Sequence, residues 1–314
     1  MYEFNELVKI SKMYYEMGMT QKEISEVSKH SRPTISRMLE AAMERGIVRV
    51  QIEYPLDSIY ELEEEIKNKF HLKKVFVAPT FVEEDTLIVQ DVGKALANYL
   101  TEICRPNDIL GISWGTTLGV VSNYLPKRRI NGLKIVQLNG GIPVNSYSNG
   151  SFGLLEKFSE AFEGQFHLLS APTIVDSEEI ANSILSDSNI KQVVDLGKKA
   201  NIALFGIGRT HYESVLYKSG YFKTESYDRL ISKGAVGDIC SRFFDINGDL
   251  VDSELNRRTI GLQLEDLQEK EHCIAMAVGA KKVKAVYGAL QGNYLNTLFV
   301  DEHLARKLLS YKEE

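Results

Sequence analysis

A segment that ends an apolar run in serine, glycine and two threonines could bind a phosphate group. GISWGTTLG (residues 111–119) places Ser113, Gly115, Thr116 and Thr117 between a strand-like run and a helical pattern. Free backbone amides, hydroxyl groups and the positive end of a helix together favour an anion at such a place. An ordinary strand-to-helix turn, in which Gly115 fits the bend and the threonines cap the helix, would explain the same residues.

Four further segments carry groups that suit a polar, anionic ligand. They are Asn139 and Gly140 in LNGGIP (138–143), Gly206 and Gly208 in GIGRTH (206–211), Asp238 in AVGDICSRFFD (235–245), and Lys281 and Lys282 in VGAKKVKA (278–285). Glycines allow close backbone approach, an aspartate accepts hydrogen bonds from sugar hydroxyls, and a lysine neutralises a phosphate. A lysine in such a position is also often only solvated.

The same segments lack the signatures of a dinucleotide site, a metal site or a hydrolase. His211 stands where a dinucleotide fingerprint has its third glycine, and no P-loop sequence occurs. The six histidines show no metal-ligand spacing, and G-x-S-x-G is missing. Asp238 near Cys240, or Glu265 with Asp266, could do acid–base chemistry, although a helix surface explains the latter pair better. We therefore predict no catalytic residue, no metal and no cofactor.

A second stretch, SRPTISRMLEAAMERGIVRV (residues 31–50), combines helix signals with basic side chains. Ser31 is placed to cap a helix that has Pro33 in its first turn, and apolar residues recur at helical spacing from Ile35. The residues predicted to contact DNA are Ser31, Arg32, Thr34, Ser36 and Arg37. In helix-turn-helix proteins this end of the helix enters the major groove, where such side chains reach base edges and phosphates. A three-helix packing unit with merely solvated basic residues is the alternative.

The neighbouring elements predict a winged helix-turn-helix domain over residues 1–54. A helical stripe begins near residue 3 and stops at Gly18, and a capping box of Thr20 and Glu23 opens a second, short helix. After the third helix, the alternating sequence IVRVQIEY predicts a strand, which completes the order of elements in that fold.

Residues 55–72 predict a linker helix, and residues 73–314 predict an open, doubly wound α/β domain of Rossmann-like type. The linker helix either pairs with a copy of itself or packs on its own domain. The larger domain contains the apolar runs VFVAP (75–79), DILGISWG (108–115), KIVQLNGG (134–141), HLLSAP (167–172), NIALFGIG (201–208), HCIAMAVG (272–279) and TLFVDE (297–302). Continuous apolarity predicts parallel strands covered on both faces, and such folds bind ligands beyond the carboxyl ends of the strands.

Composition predicts a globular protein of the cytoplasm. The 314 residues carry a net charge of −6, yet the segment from Lys29 to Arg49 holds five basic and two acidic residues. No apolar run approaches the ~20 residues of a membrane span, and the N-terminus has no signal-peptide pattern. Three cysteines without C-x-x-C spacing predict reduced thiols rather than disulfides or a zinc site.

Together these motifs resemble the SorC-type sugar-binding transcriptional regulators, and within them the deoxyribonucleoside regulators of Gram-positive bacteria. The resemblance runs nearly end to end and is carried by SRPTISRMLEAAMERGIV, ILGISWGTT, VQLNGG, KKANIALFGIG, GYF with AVGDICSRFFD, RTIGLQLEDL and YGALQGNYLNTLFVDE. It implies a winged helix-turn-helix joined to an effector domain that is similar to sugar-phosphate isomerases and deaminases but lacks their activity. It also implies tetramers that bind operator DNA and are released by a phosphorylated sugar.

The resemblance also implies roles for particular residues. The implied phosphate-binding loop is Ser113, Gly115, Thr116 and Thr117, the implied lysine of the site is Lys282, the implied sugar-facing acid is Asp238, and Arg258 matches a recurrent arginine of unassigned role.

The chain departs from the family pattern at three places. Lys29 and His30 occupy a turn that usually carries glycine, and Val278 replaces one glycine of the pair before the lysine. Asn139 stands where the deoxyribonucleoside branch has a lysine that could form an imine with an open-chain sugar. An amide forms no Schiff base, so we expect the effector to bind without a covalent bond.

These observations lead to one main hypothesis and two alternatives. The main hypothesis is a regulator, most simply a repressor, of carbohydrate or nucleoside catabolism genes. It would bind double-stranded operator DNA as a dimer or tetramer and respond to deoxyribose 5-phosphate or a related sugar phosphate. The first alternative is an active sugar-phosphate isomerase or deaminase with an appended DNA-binding domain. The second is an interaction module whose pocket takes no ligand.

Overall fold

The computed structural model describes residues 2–50, 57–142 and 150–312. The chain divides into two compact units, Met1–Pro55 and Leu56–Glu314. Across these described ranges, no helix combines the length and the apolarity that crossing a bilayer requires.

The elements alternate between helix and strand through most of the chain. The helices are α1 (Phe4–Ser11), α2 (Gln21–Val27), α3 (Arg32–Glu44), α4 (Asp57–Phe70), α5 (Asp85–Ile103), α6 (Thr116–Ser122), α7 (Gly150–Phe162), α8 (Glu178–Ser186), α9 (Ser188–Lys199), α10 (Val215–Lys218), α11 (Thr224–Ser232), α12 (Ser253–Arg257), α13 (Glu265–Gln268), α14 (Val283–Gln291) and α15 (Glu302–Ser310). The strands are β1 (Lys74–Ala78), β2 (Ile109–Ile112), β3 (Lys134–Gln137), β4 (Gln165–His167), β5 (Ile202–Gly206), β6 (Gly208–Arg209), β7 (Gly237–Ile239), β8 (Arg242–Phe244), β9 (His272–Ala277) and β10 (Thr297–Asp301). A π-helical turn (Lys12–Glu16) extends α1, and a 3-10 turn (Ala280–Lys282) precedes α14.

The smaller unit is a cluster of the helices α1, α2 and α3. Before α2, the Thr20 amide donates to Glu23 Oε2 at 2.8 Å and the Glu23 amide donates to Thr20 Oγ1 at 3.3 Å, which forms the capping box. Ser31 caps α3 because its hydroxyl accepts a hydrogen bond from the Thr34 amide. The helices enclose a common core of Leu7, Ile10, Ile24, Ile35, Met38, Leu39 and Ala42.

The strand expected over IVRVQIEY does not form in its first half. The amides of Ile47 and Val48 donate to the Ala42 carbonyl at 2.9 and 3.2 Å, so they close the end of α3 instead of joining a β-ladder. Gly46 makes this reversal with a φ of 68°, a conformation that suits glycine at the end of a helix. Residues 51–54, the second half of the expected strand, lie outside the described residues, so the wing stays a prediction.

The sheet of the larger unit is parallel. In the described part of this unit, seven strands form one sheet in the order β1-β10-β9-β5-β2-β3-β4. In β9, Cys273 and Ala275 enter one buried layer, whereas Ile274 and Met276 enter the other. The helices α4, α14 and α15 close the first layer, and α5, α6 and α7 close the second. Helices on both faces of a parallel sheet confirm the predicted doubly wound α/β class.

Two further predictions can be compared with the structure, namely the strand over HLLSAP and the linker helix. The run HLLSAP shares only His167 with β4, because the chain then leaves the ladder and the Leu169 amide donates to the Gln137 side chain at 3.3 Å. The helix α4 belongs to the larger unit, where Ile59, Leu62 and Ile66 are buried with residues of α15. Packing on its own domain is therefore the observed alternative for the expected linker helix.

A second, smaller sheet was not expected from the sequence. The strands β6, β7 and β8 pair antiparallel, and a single residue, Ile207, separates the end of β5 from the start of β6. Cys240 and Ser241 join β7 to β8 with φ of 51° and 68°. A two-residue hairpin turn with both φ positive matches the twist of the strands, although asparagine and glycine usually occupy it. This hairpin brings Asp238 to the carboxyl edge of the large sheet.

Candidate functional site

A cavity of about 260 Å³ opens at the carboxyl edge of the sheet. It lies where β2 and β5 are neighbours and where the chain continues from them in opposite directions along the sheet. Open α/β sheets bind ligands at such a switch point. Nine of the ten residues predicted to bind the effector line it, namely Ser113, Gly115, Thr116, Thr117, Asn139, Gly206, Gly208, Asp238 and Lys282.

Gly140, the tenth residue, does not line the cavity. A Cβ atom at Gly140 would clash with the backbone of Pro172. The Gly140 carbonyl accepts a hydrogen bond from the indole nitrogen of Trp114 at 2.6 Å, and Trp114 does line the cavity. Gly140 therefore acts through close packing and through the orientation of Trp114.

The loop between β2 and α6 presents its backbone to the cavity. Gly115 has a φ of 151°, no atom lies within 4 Å of the place where its Cβ would be, and no side chain caps α6. The first bond of α6 joins the Gly119 amide to the Gly115 carbonyl at 3.0 Å. The amides of Thr116 and Thr117 precede that bond and have no partner within the helix. Both threonines line the cavity.

Buried hydrogen bonds join Ser113, Asn139, Ser241 and Thr173 beneath the cavity. The Ser113 hydroxyl donates to Asn139 Oδ1 at 2.9 Å, and Asn139 Nδ2 donates to the Ser241 hydroxyl at 3.2 Å. The Thr173 hydroxyl donates to the same Ser241 oxygen at 2.9 Å. We call these four residues the cavity floor. Both ends of the Asn139 amide are engaged in it, so Asn139 mainly fixes the positions of Ser113 and Ser241.

Asp238 and Lys282 give the cavity a carboxylate and an ammonium group. Burial raises the pKa of Asp238 to about 6, although the Lys282 charge and the Ser241 amide act in the opposite direction. Burial also lowers the pKa of Lys282. The negative charge of Asp238 partly offsets this decrease, and the positive charge of Arg209 adds to it. Lys282 Nζ donates to the Ile207 carbonyl at 2.8 Å, which holds the ammonium group at the cavity wall.

The close approach of Gly208 to Asp238 explains why glycine follows β5. A Cβ atom at Gly208 would overlap the Asp238 carboxylate. The glycine thus leaves space for this side chain to face the cavity. A carboxylate in such a position accepts hydrogen bonds from hydroxyl groups, and a lysine ammonium binds a phosphate as a point charge.

Several cavity residues were not selected from the sequence. They are Trp114, Leu118, Ile207, Arg209, His211, Glu213, Ser214, Val215, Leu216, Cys240 and Ser241. Arg209 and Glu213 form an ion pair with 3.2 Å between Nη2 and Oε2. Arg209 stands inside the quoted segment GIGRTH, and a basic residue directly after the glycines was the signal that could have identified it.

The residues predicted to contact DNA occupy the start of α3 in the smaller unit. Arg32, Ser36 and Arg37 are exposed, and apolar neighbours such as Ile35 face the core. The hydroxyls of Ser31 and Thr34 bond each other at 2.8 Å. This face can therefore present two guanidinium groups and a hydroxyl to a nucleic acid.

The turn between α2 and α3 closes without glycine. The His30 carbonyl accepts a hydrogen bond from the Ser25 hydroxyl at 3.0 Å, and the His30 amide donates to the Ser28 hydroxyl at 3.3 Å. Ser28 and Ser31 have ordinary negative φ values of −104° and −71°. The Lys29 and His30 departure is thus compatible with a helix-turn-helix geometry.

Arg258, Cys104 and Cys273 lie apart from the cavity lining, whereas Cys240 belongs to it. Arg258 Nη1 donates to the Val175 carbonyl at 3.0 Å, which ties the segment after α12 to the one before α8. The thiols of Cys104, Cys240 and Cys273 are unpaired, and all three residues are buried. Among the residues whose placement is described, no three His, Cys, Asp or Glu side chains come together as a metal site.

Comparison with known proteins gave matches along nearly the whole chain. The sugar-binding domain family model matches residues 54–310. The chain is 36% identical over 303 residues to the deoxyribonucleoside regulator of Bacillus subtilis strain 168, with 96% of each chain covered. It is 32% identical over 314 residues to the sorbitol operon regulator of Klebsiella pneumoniae, with 96% of this chain and 97% of the relative covered. The crystal structure of the full-length Klebsiella pneumoniae regulator SorC superposes with a TM-score of 0.77 at 30% identity, covering 98% of this chain and 99% of that one.

Proposed function

We propose, on the premise that this chain belongs to the SorC-type family of sugar-binding transcriptional regulators, that it represses genes of carbohydrate or nucleoside catabolism until a phosphorylated sugar binds its larger unit. The matched relatives bear the names of transcriptional regulators, which supports a sugar-responsive regulator rather than an enzyme. The finer parts of the proposal are the phosphate on the sugar, the residues that hold it and the direction of the response.

The cavity carries the proposal for the effector. Lys282 and Arg209 supply positive charge, and the loop at Thr116 and Thr117 supplies amides and hydroxyls. Asp238 supplies an acceptor for hydroxyl groups. This combination suits a small ligand that has one anionic group and several hydroxyls, such as deoxyribose 5-phosphate or a related sugar phosphate. The ligand binds without a covalent bond at Asn139, because an amide forms no Schiff base.

The start of α3 carries the proposal for DNA. Arg32, Ser36 and Arg37 are exposed on one short stretch in a chain whose net charge is −6. We infer that this stretch enters the major groove of an operator, with Ser31 and Thr34 beside it. The chain acts in the cytoplasm as a dimer or tetramer, and effector binding shifts the population toward an arrangement that fits the operator poorly. Such a shift requires the effector to prefer one arrangement over the other.

Ligand binding can be followed through Trp114, the single tryptophan of the chain, because its indole lines the cavity. We expect deoxyribose 5-phosphate or ribose 5-phosphate to change its fluorescence and to raise the melting temperature, since a ligand of the native state stabilises it. Inorganic phosphate and unphosphorylated deoxyribose serve as partial ligands. If no sugar phosphate in such a screen binds, the proposed effector class is wrong.

Lys282→Met tests the role of the ammonium group. A hydrogen bond to a charged group contributes about 1.5–3 kcal/mol, so we expect the affinity for a sugar phosphate to fall roughly 10- to 150-fold. Lys281→Met is the matched control, because Lys281 is the exposed neighbour and loses the same charge. Equal losses in the two variants would contradict a specific contact with Lys282.

Arg37→Ala tests the DNA-binding face. Fluorescence anisotropy with an operator duplex should show weaker binding and a smaller dependence on salt, by about one unit of the log–log slope per lost phosphate contact. Lys9→Ala, an exposed basic residue of α1, is the control for net charge. Circular dichroism should show the same helix content in both variants. Unchanged operator binding by both Arg32→Ala and Arg37→Ala would refute the assignment of α3.

A further inference from the structure

The cavity contains an ion pair between two of its own lining residues. Arg209 ends β6, and Glu213 follows it four residues later in the loop before α10. Their side chains meet at 3.2 Å between Nη2 and Oε2, with 28% of the Arg209 side chain and 67% of the Glu213 side chain exposed. The carboxylate therefore contacts one guanidinium nitrogen of a residue that lines the cavity. Because the pair is solvated, it adds little to the stability of the fold.

One buried hydroxyl contacts residues on both sides of Glu213: the backbone of His211 and the side chain of Ser214. The Tyr227 side chain is fully buried, and its hydroxyl accepts a hydrogen bond from the His211 amide at 3.1 Å. The same hydroxyl lies 2.8 Å from the Ser214 hydroxyl. The Glu213 amide also donates to Nδ1 of His211 at 3.2 Å. The Glu213 side chain can thus leave Arg209 by rotation, while the loop stays in place.

We propose that Glu213 is an internal competitor of the effector for Arg209. This inference rests on the proposed function, and it adds a residue that sets both affinity and selectivity. A guanidinium binds carboxylate and phosphate through the same edge and with similar geometry. The phosphate of the effector must therefore replace the Glu213 carboxylate to reach Arg209. A sugar without an anionic group does not make this exchange, so the ion pair lowers the affinity for phosphorylated ligands and leaves the affinity for unphosphorylated sugars unchanged.

Removal of the competitor should strengthen binding of anionic ligands only. With Trp114 fluorescence as the readout, we expect Glu213→Gln to bind deoxyribose 5-phosphate and inorganic phosphate two- to fivefold more tightly than the wild type. The range follows from the small contribution of an exposed ion pair. Binding of unphosphorylated deoxyribose should not change. Melting temperatures of the variant and the wild type should agree within about 1 °C, since the pair contributes little to stability.

A double-mutant cycle separates competition from a general effect of charge. Arg209→Gln should weaken binding of the phosphorylated ligand, and Glu213→Gln should give no further gain in the Arg209→Gln background. Glu225→Gln, which removes an exposed carboxylate from the first turn of α11, is the control and should leave affinity unchanged. The inference is overturned by a gain that persists without Arg209, by an equal gain in Glu225→Gln, or by no gain in Glu213→Gln.

The two levels of the proposal fail in different ways. If the wild type binds neither a sugar phosphate nor inorganic phosphate, the proposed effector class is wrong, and the proposed competition by Glu213 is wrong with it. If the wild type binds a sugar phosphate and Glu213→Gln binds it no better, the effector class stands and only the role of Glu213 is wrong.

Discussion

Asp238→Asn should stabilise the protein at alkaline pH while it weakens effector binding. Burial raises the pKa of the Asp238 carboxyl from 3.8 to about 6. The charged carboxylate is therefore less favourable in the folded chain than in the unfolded one. The stability that this group contributes is complete below about pH 3.8 and is lost as the pH rises through about 6. Asparagine cannot ionise, so the variant avoids this loss.

The expected size follows from the shift in pKa. A shift from 3.8 to about 6 corresponds to a total of about 3 kcal/mol, because each pKa unit is worth ~1.4 kcal/mol. Roughly half of that total develops between pH 5 and pH 8. In a domain of this size, such a change moves the melting temperature by about 3–6 °C. Effector affinity should fall about 10- to 150-fold, because a charged acceptor for a sugar hydroxyl is lost.

Thermal unfolding at pH 5 and pH 8 provides the assay. The melting-temperature difference between Asp238→Asn and the wild type should be several degrees larger at pH 8 than at pH 5. Asp195→Asn, which removes an exposed carboxylate from α9, should show no such growth and controls for net charge. A difference that is the same at both pH values, or that shrinks toward pH 8, would show that burial does not dominate the titration of Asp238.

Three further substitutions have defined outcomes. Gly208→Ala should lower effector affinity at least tenfold because its Cβ displaces the Asp238 carboxylate. Isothermal calorimetry with a sugar phosphate measures this affinity, and an unchanged value would contradict the prediction. Gly140→Ala should lower the free energy of unfolding by several kcal/mol, because its Cβ meets the rigid backbone of Pro172. Urea denaturation measures this free energy. A decrease of less than about 1 kcal/mol would contradict the observed packing. Arg242→Met should lower the free energy of unfolding by about 3–5 kcal/mol in the same assay. The buried guanidinium donates to five carbonyl oxygens, which would lose their partners. A variant as stable as the wild type would show that water replaces those bonds.

The cavity residues that directly follow parallel strands could be located from the sequence. Ser113 follows β2, Asn139 lies just beyond β3, and Gly206 ends β5. The carboxyl ends of parallel strands share one edge of a sheet, so recognising the strands was enough to bring these residues together. The same reasoning could not separate Gly140 from Gly206. A glycine that allows a ligand to approach and a glycine that packs against backbone look alike in a sequence.

The residues of the β6–α10 loop could not be located in this way. Arg209 and Glu213 reach the cavity because β6 pairs with β7, and that pairing is antiparallel and only two residues long. Neither GDI nor RFF alternates between apolar and polar residues, so the hairpin has no periodic signal. Its turn at Cys240 and Ser241 also lacks the glycine or asparagine that would have indicated it. The first half of the expected strand after α3 does not form for a different reason, since the amides of Ile47 and Val48 make local bonds to Ala42.

The cavity floor and the β6–α10 loop would adapt to a new effector at different rates. The floor draws Ser113, Asn139, Thr173 and Ser241 from four stretches of the chain that are distant in sequence. Any single replacement there strands a polar neighbour without a partner, which selection would remove. Arg209 at the end of β6 and Glu213 in the loop after it are instead only four residues apart, and both side chains are partly exposed. A descendant of this protein could therefore change its effector specificity through substitutions in that segment alone, while the cavity floor stays the same.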